Sequence, residues 1–170
     1  MTPMDELARR LPELALRTSA SDLEHYGRDW TRRWTPSPLA IALPSSTQEV
    51  QGIVRWANEH RVALVPSGGR TGLSGGAVAA NGELVVSLEK MNRALGFDPV
   101  DRILTVQAGM ALEAVHAAAQ AQGLIYPVID PRHSGHHGLV MDWNPLPAVY
   151  ALPGGSVAAL RVLARAHGVG

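Results

Sequence analysis

Five glycines fall within the eleven residues from Pro66 to Gly76, here called the glycine loop, and this density limits what the segment can form. Glycine lacks a Cβ atom, so it reaches positive φ values and lets backbone N–H groups converge on an anion. The loop follows the apolar stretch 62–65, which predicts a buried strand ending at Pro66. Ligands commonly bind beside the carboxyl ends of such strands. The segment therefore predicts an anion-binding loop, with a flexible surface loop as the alternative that composition alone also favours.

The glycine spacing excludes the two best-known phosphate-binding motifs. A P-loop ends in Gly-Lys-Ser/Thr, which this segment does not contain. A Rossmann fingerprint needs Gly-x-Gly-x-x-Gly at the start of a helix, whereas Gly68 and Gly69 are adjacent and the pattern after Gly76 predicts no helix. Hydroxyl side chains that suit phosphate oxygens stand among the glycines, namely Ser67, Thr71 and Ser74. The pattern thus predicts a phosphate-binding loop of a different kind.

Strands and helices alternate around the glycine loop in an order that predicts an α+β fold. Apolar runs predict further strands at 39–43, 84–88 and 103–106. Between the last two, residues 89–101 predict a turn and a short apolar piece at 94–97.

Two helices belong to the same region. A capping box at Ser46–Glu49 predicts the start of the first helix, and Gly123 occupies the C′ position of the second, which is predicted over 111–122. The spacing of apolar residues predicts one apolar face in the first helix, formed by Val50, Ile53, Val54 and Ala57. In the second helix it predicts that Leu112, Val115 and Ala119 point inward.

Residues 1–38 are more highly charged than the region that follows. Leucine spacing predicts an amphipathic helix over 4–17, followed by a shorter helix that begins at a Ser21 or Asp22 cap. We therefore interpret 1–38 as a helical lead-in to a domain at 39–129. His25 lies in the shorter helix, where we expect it to serve packing.

Residues 130–170 form a divergent tail. The stretch 130–147 predicts a loop, and a terminal helix follows. The tail partly repeats the strand–helix pattern of 34–62, with chance similarity between two such units as the alternative. Three imidazoles stand close together at His133, His136 and His137, which raises the question of a metal site. No acidic residue follows closely and no helix is predicted there, so we predict a solvated loop and no metal.

Composition narrows the classes of function. The 170 residues contain no cysteine, which excludes disulfides, zinc–thiolate sites and a cysteine nucleophile. Fifteen basic and fifteen acidic residues cancel, so net charge gives no argument for nucleic-acid binding. No apolar run approaches the ~18–20 residues of a membrane span, and residues 1–10 lack the apolar core of a signal peptide. We therefore expect a cytoplasmic protein with no membrane span and no nucleic-acid partner.

At the glycine loop the chain resembles a known family. Pro-Ser-Gly-Gly-Arg-Thr-Gly-Leu-Ser-Gly-Gly-Ala at 66–77 is similar to the FAD-binding domain of the vanillyl-alcohol oxidase/p-cresol methylhydroxylase type. Within that type it most resembles the FAD-linked D-2-hydroxyacid dehydrogenases, which include D-lactate dehydrogenase, the glycolate oxidase D subunit and D-2-hydroxyglutarate dehydrogenase. The segments 26–30, 87–92 and 106–109 carry the same resemblance, which covers residues 21–129.

The resemblance implies that the cofactor is FAD and that backbone N–H groups of the glycine loop wrap its pyrophosphate. Gly69 is expected to need positive φ, so that Gly69→Val would abolish binding. Relatives with a tethered flavin have a histidine at the place of Arg70; a guanidinium is no nucleophile, so FAD is expected to be held non-covalently. The implied cofactor-binding residues are Pro66, Ser67, Gly68, Gly69, Arg70, Thr71, Gly72, Leu73 and Ser74, together with Gly109.

The chain departs from the family after residue 129. Family members follow the Tyr-Pro found here at 126–127 with Gly-Gly-Asn-x-x-Thr-x-x-Gly-Gly, which completes the FAD cradle, and nothing in 129–170 matches it. The family's substrate domain is also absent, as a frameshift, a truncation or a gene fusion would explain. The resemblance therefore assigns no catalytic residue to this chain.

The resemblance implies flavin-dependent oxidation of a D-2-hydroxy acid, with the chain alone inactive until a substrate domain is supplied. The alternative is a non-catalytic FAD-binding module or subunit that needs a partner chain, and a third interpretation is a degenerate product that binds nothing. With its cradle incomplete, the chain should leave the apolar faces of strands 84–88 and 103–106 partly uncovered. We therefore expect it to self-associate.

Overall fold

The computed structural model describes residues 2–124 and residue 126, and it divides the chain into two compact units, Met1–Met91 and Asn92–Gly170. The first unit is built on a four-stranded sheet with strand order β1-β2-β4-β3. Its strands are β1 (Ala15–Arg17), β2 (Ala40–Leu43), β3 (Leu64–Ser67) and β4 (Leu84–Ser87). The inner strands β2 and β4 are parallel to each other and to β3, whereas β1 is antiparallel to β2. The carboxyl ends of β3 and β4 therefore lie at the same edge of the sheet.

The first helix, α1 (Pro3–Arg10), is shorter than the predicted 4–17. Pro12 explains the early end, because a proline disfavours helical backbone in the residue before it, and Leu11 indeed has φ −128 and ψ 73. Of the residues expected to continue the helix, 15–17 form β1 instead, which pairs along β2. The prediction of a helix over 4–17 is thus wrong beyond Arg10.

The second helix, α2 (Ala20–Tyr26), begins earlier than predicted. Its N-cap is Ser19, whose hydroxyl accepts a hydrogen bond from the Asp22 backbone N–H at 3.2 Å, so the caps predicted at Ser21 or Asp22 are wrong. The neighbouring serines carry the same local signal, which is why the sequence did not single out Ser19.

The third helix, α3 (Thr47–His60), confirms the predicted helix start. The Ser46 hydroxyl accepts from the Glu49 N–H at 3.2 Å, and the Glu49 carboxylate accepts from the Ser45 N–H at 2.6 Å, one residue before the partner that a capping box predicts. The buried face consists of Ile53, Trp56 and Ala57, while Val54 is 42% exposed.

Trp56 explains this rotated face. Its indole N–H donates to the Pro3 carbonyl at 2.9 Å, and its ring belongs to the same apolar cluster as Leu7 of α1. The predicted face is therefore right at Ile53 and Ala57 but wrong at Val54, whose place in the core Trp56 takes, because the partner helix determines which face is covered.

The core of the first unit lies on both faces of the sheet. One cluster packs α1 and α3 on β2 and β4, and it includes Leu7, Ile53, Trp56 and Leu84. The other cluster holds Tyr26 and Ala79 against the opposite face of the sheet. All four residues of β4 are buried, so the expectation that strand 84–88 is partly uncovered is wrong.

The second unit contains an antiparallel pair of strands and one helix. The strands are β5 (Ala94–Asp98) and β6 (Ile103–Val106), with a bulge between Ala94 and Gly96, so the apolar piece predicted at 94–97 is a full strand. The alternating side chains Leu104 and Val106 of β6 are buried, so its apolar face is covered as well.

The helix α4 (Leu112–Gln120) follows β6, with Val115 and Ala119 buried as predicted. The backbone N–H groups of Gly123 and Leu124 bond the Gln120 and Ala119 carbonyls at 2.9 and 3.0 Å. These are the two bonds of a Schellman motif, with Gly123 in the left-handed position at φ +69. The predicted C′ role of Gly123 is therefore confirmed.

Parallel and antiparallel strands mixed with helices confirm the predicted α+β class. No helix within 2–124 is long and apolar enough to cross a membrane. The predictions for the tail 130–170, its partial repeat and its histidine cluster, lie outside the described residues.

Candidate functional site

The glycine loop leaves the carboxyl end of β3 and emerges from the core to the surface. Ser67 and Gly68 are buried, Gly69 and Arg70 are half-buried, and residues 71–74 are exposed. Pro66 lies inside β3 instead of ending it, which an edge strand tolerates because the missing N–H faces away from the ladder. The predicted placement of the loop at a strand end, with no helix after it, is thus confirmed.

Two residues of the glycine loop have left-handed backbone, Arg70 at φ +56 and Gly75 at φ +81. Gly69 does not, so the expectation that Gly69 needs positive φ is wrong. A valine there would act through its bulk alone.

The far end of the glycine loop is tied down by a buried carboxylate. Asp29 is 4% exposed, and it accepts hydrogen bonds from the Gly75 N–H at 3.2 Å and from the Thr31 N–H and hydroxyl at 2.9 and 2.7 Å. A Cβ atom added to Gly75 would lie 3.3 Å from the Trp34 ring. The segment before residue 38 therefore shapes the glycine loop directly. Sequence reasoning missed Asp29, since one acidic residue among six in that segment carries no distinguishing signal.

The Arg70 side chain turns from the glycine loop towards α2. Its guanidinium lies 4.8 Å from the centroid of the Tyr26 ring, and its Nη2 is 2.9 Å from His25 Nε2. The Tyr26 hydroxyl in turn donates to Glu89 Oε1 at 2.8 Å. We call these four residues the Arg70 cluster. They link the loop, α2 and the segment after β4.

Electrostatics within the Arg70 cluster follow from burial and neighbouring charge. Burial lowers the pKa of the Arg70 guanidinium, and burial followed by its bond to Glu89 raises the pKa of Tyr26. Burial is also the main cause that lowers the pKa of His25, with the Arg70 charge next. A guanidinium only donates hydrogen bonds, so we assign Nε2 of His25 as the acceptor and place its proton on Nδ1.

Two buried hydroxyls lie at the strand ends where the glycine loop begins. Ser67 and Ser87 are opposite each other in the β3–β4 register, and both are 0% exposed. Neither hydroxyl has a hydrogen-bond partner within the described part of the chain. A buried, unpaired hydroxyl costs about 1–3 kcal/mol, which an added polar ligand would offset. Sequence reasoning missed Ser87, although it ends its strand just as Ser67 does.

The outer part of the glycine loop leaves room for a ligand. Cβ atoms added at Gly72 or Gly76 would meet nothing within 4 Å, and neither residue has positive φ. Together with the two unpaired hydroxyls, these features fit a phosphate-bearing cofactor seated on the loop. The structure brings nine of the ten predicted site residues together at 66–74, while Gly109 is buried in the turn after β6 of the second unit.

Another group of metal-ligand side chains lies between α1 and α3. The ligand atoms of Glu6, Glu59 and His60 lie within 4.8 Å of one another. Arg10 already pairs with both carboxylates. We therefore interpret the group as an ion-pair network that links the two helices.

Comparison with known proteins agrees with this geometry. The chain is 72% identical over 122 residues to a D-2-hydroxyglutarate dehydrogenase of Xanthomonas citri pv. viticola, covering 72% of this chain and 26% of the relative. The chain thus spans about a quarter of that relative's length.

Two solved structures share the fold. One is an alkyldihydroxyacetonephosphate synthase, with TM-score 0.67 and 20% identity over 79% of this chain and 30% of the other. The other is p-cresol methylhydroxylase, with TM-score 0.57 and 17% identity over 71% of this chain and 25% of the other. Residues 38–137 match the family model described as FAD binding domain. The chain therefore belongs to the FAD-binding domain family.

Proposed function

We propose that the glycine loop holds the pyrophosphate of FAD, with Ser87 as an additional partner beside it. The observation that carries the proposal is the pair of buried hydroxyls of Ser67 and Ser87 at the loop's origin, which have no hydrogen-bond partner among the described residues and lie within the segment that matches the family model. Backbone N–H groups supply most of the contacts, as glycine-rich turns do for anions. The proposed set is Pro66, Ser67, Gly68, Gly69, Arg70, Thr71, Gly72, Leu73 and Ser74, with Gly109 from the second unit.

The residues present favour non-covalent binding. The 170 residues contain no cysteine that could form a thioether to the flavin. Arg70 occupies the position from which relatives with a tethered flavin bond through histidine, and its guanidinium stays protonated. Its backbone N–H belongs to the cofactor contact, while its side chain holds the loop against α2. Acid denaturation of the flavin-loaded protein should therefore release all the yellow colour, and flavin fluorescence that remains with the polypeptide would contradict this.

The reaction we propose for the whole protein is oxidation of a D-2-hydroxy acid, with D-2-hydroxyglutarate as the first candidate because a 72% identical relative carries that name. When bound, FAD supplies the acceptor for the two electrons removed from the substrate. In this proposal the described segment binds and orients the cofactor. The substrate contacts come from a region that corresponds to the roughly three quarters of the relative's length that this chain does not cover. The proposed FAD-binding domain covers 39–129, with 1–38 as its lead-in and 130–170 as a divergent tail.

The test compares substrate enantiomers. The longest product of this gene, loaded with FAD and kept free of oxygen, should lose its visible flavin absorption with D-2-hydroxyglutarate, D-lactate or glycolate. L-2-Hydroxyglutarate, the matched control, should leave the absorption unchanged. If FAD binds but no hydroxy acid bleaches it, the alternative applies: a non-catalytic module or subunit that needs a partner chain for the substrate domain.

A further inference from the structure

Arg70 has a backbone conformation that its residue type disfavours. Its φ of +56 is left-handed, a region that glycine and asparagine enter far more readily than arginine. Arg32, Arg61 and Arg102 share this left-handed backbone, so φ alone does not single out Arg70. Arg70 lies in the glycine loop, and its side chain contacts α2.

The guanidinium is held on two sides. It stacks over the Tyr26 ring at 4.8 Å, and its Nη2 donates to His25 Nε2 at 2.9 Å. Tyr26 is itself fixed, because it is 6% exposed and bonds Glu89 through its hydroxyl. The Arg70 side chain therefore ties the left-handed turn of the glycine loop to α2, through the buried Tyr26 and the exposed His25.

Protonation of His25 is incompatible with this contact. An imidazolium donates from both nitrogens, so it offers Arg70 no acceptor and would place two cations 2.9 Å apart. Arg28, which pairs with Glu24, adds further positive charge near His25. The opposing charges come from Glu89 and from Asp22, and Asp22 is itself paired with Arg17 of β1. The bond to Arg70 therefore exists only while His25 is neutral.

We propose that Arg70 and His25 form a proton-sensitive latch that holds the glycine loop in its FAD-binding conformation. Arg70 is thus a positioning residue, and the latch rests on the proposed FAD-binding function. The latched state carries one proton fewer than the released state, so it is favoured above the ordinary pKa of histidine and is lost as pH falls. If only the latched loop binds FAD, linkage with a released-state pKa of about 6.5 weakens binding by up to about tenfold at pH 5.5 relative to pH 7.5.

The latch itself is tested without FAD by NMR of the histidine rings, with His25 assigned by its loss in His25→Gln. The wild-type chain should show the Nδ1–H tautomer of His25, and Arg70→Met should raise its pKa. Arg28→Met is the matched control, because it removes a nearby positive charge that makes no bond to His25, and it should raise the pKa less. An Nε2–H tautomer in the wild type, or equal effects of the two variants, would overturn the latch.

The effect on the cofactor is tested by measuring the FAD dissociation constant at pH 7.5 and pH 5.5. The pH 5.5 to pH 7.5 ratio of the dissociation constants should exceed one in the wild type, with a limit of about ten, and should be about one in His25→Gln, whose amide oxygen accepts from Arg70 but does not titrate. Arg70→Lys keeps the charge but loses the planar stack, so it should weaken binding at pH 7.5. The same pH ratio in His25→Gln as in the wild type would overturn the latch. FAD that binds at neither pH would instead contradict the proposed function, and the NMR result would still decide the latch.

Discussion

Alanine substitutions at Gly72 and Gly76 distinguish a glycine that contacts the cofactor from one that serves only the structure. A methyl group at either position meets nothing within 4 Å, and neither backbone is left-handed. Both alanine variants should therefore fold with unchanged stability. Gly72 belongs to the proposed FAD contact and Gly76 does not.

We predict that Gly72→Ala weakens FAD binding by tenfold or more, because the added methyl lies where the backbone approaches the cofactor, while Gly76→Ala changes it by less than about threefold. Fluorescence titration of FAD with each variant gives the comparison. Equal affinities for the two variants would remove Gly72 from the site.

Removing the buried hydroxyl of Ser67 or Ser87 should affect protein stability and FAD binding in opposite directions. Ser87→Ala removes a buried hydroxyl that has no partner in the described residues, so it should leave the cofactor-free protein as stable or up to about 1 kcal/mol more stable. The same change should weaken FAD binding about tenfold, the value of one hydrogen bond to a charged group. Urea unfolding and FAD titration check the two signs. A loss of stability with unchanged FAD affinity would show that Ser87 serves the fold alone.

Alanine substitutions at Gly75 and Gly82 distinguish the cost of backbone strain from the cost of steric crowding. Both are left-handed, at φ +81 and +82, but only Gly75 lies against another side chain, the Trp34 ring. We expect alanine to cost about 1–2 kcal/mol at Gly82, from strain alone, and measurably more at Gly75. The free energies of unfolding, measured by urea titration, provide the test. Equal costs would mean that the Trp34 ring moves aside.

At the scale of elements, the pairing of α1 with α3 determines which side chains form the core. Leu7 is 0% exposed and packs in one cluster with Ile53 and Trp56. Leu7→Ala should therefore lower the free energy of unfolding by about 2–5 kcal/mol. Leu95→Ala is the control, because Leu95 is 60% exposed and should change stability by less than about 0.5 kcal/mol. Similar losses from both would argue against α1 as part of the core.

The elements that sequence predicted well are those with strong local signals. The helix N-cap at Ser46 and the left-handed Gly123 are short-range patterns, and both were predicted at the right residues, although the Glu49 carboxylate bonds Ser45 instead of Ser46. The failures are long-range. Residues 15–17 form a strand because β2 offers them a partner, and Trp56 replaces Val54 in the core because α1 covers that face. Neither partner, β2 or α1, lies within the short stretch of sequence from which these residues were predicted.

The same division applies to the candidate site. The density of glycines and their position directly after a predicted strand identified the loop from the sequence. The property that matters, a backbone free of Cβ atoms, follows directly from the residue type. Asp29 and His25 reach the loop from 46 and 45 residues away, respectively, so only the folded structure connects them to it. Ser87 needed the β3–β4 register to be placed beside Ser67.

At the scale of the whole molecule, we still predict self-association, but the reason is no longer the uncovered strand faces that the sequence suggested. The expected open faces of β4 and β6 are covered, yet large apolar side chains remain exposed elsewhere, with Val100 at 87% and Trp30 at 56%. Sedimentation velocity over a concentration series should show a shift from monomer towards larger species. A single monomeric species throughout would contradict the prediction.

The central claim is that the glycine loop binds FAD through its pyrophosphate. Titration of the purified chain into FAD, followed by fluorescence anisotropy, tests it most directly, with riboflavin as the control that has the same ring and no phosphate. We predict saturable one-site binding of FAD, weak or undetectable binding of riboflavin, and FAD binding at least tenfold weaker in Gly72→Ala. Equal binding of both ligands, or no saturable binding of FAD by the folded chain, would contradict the account.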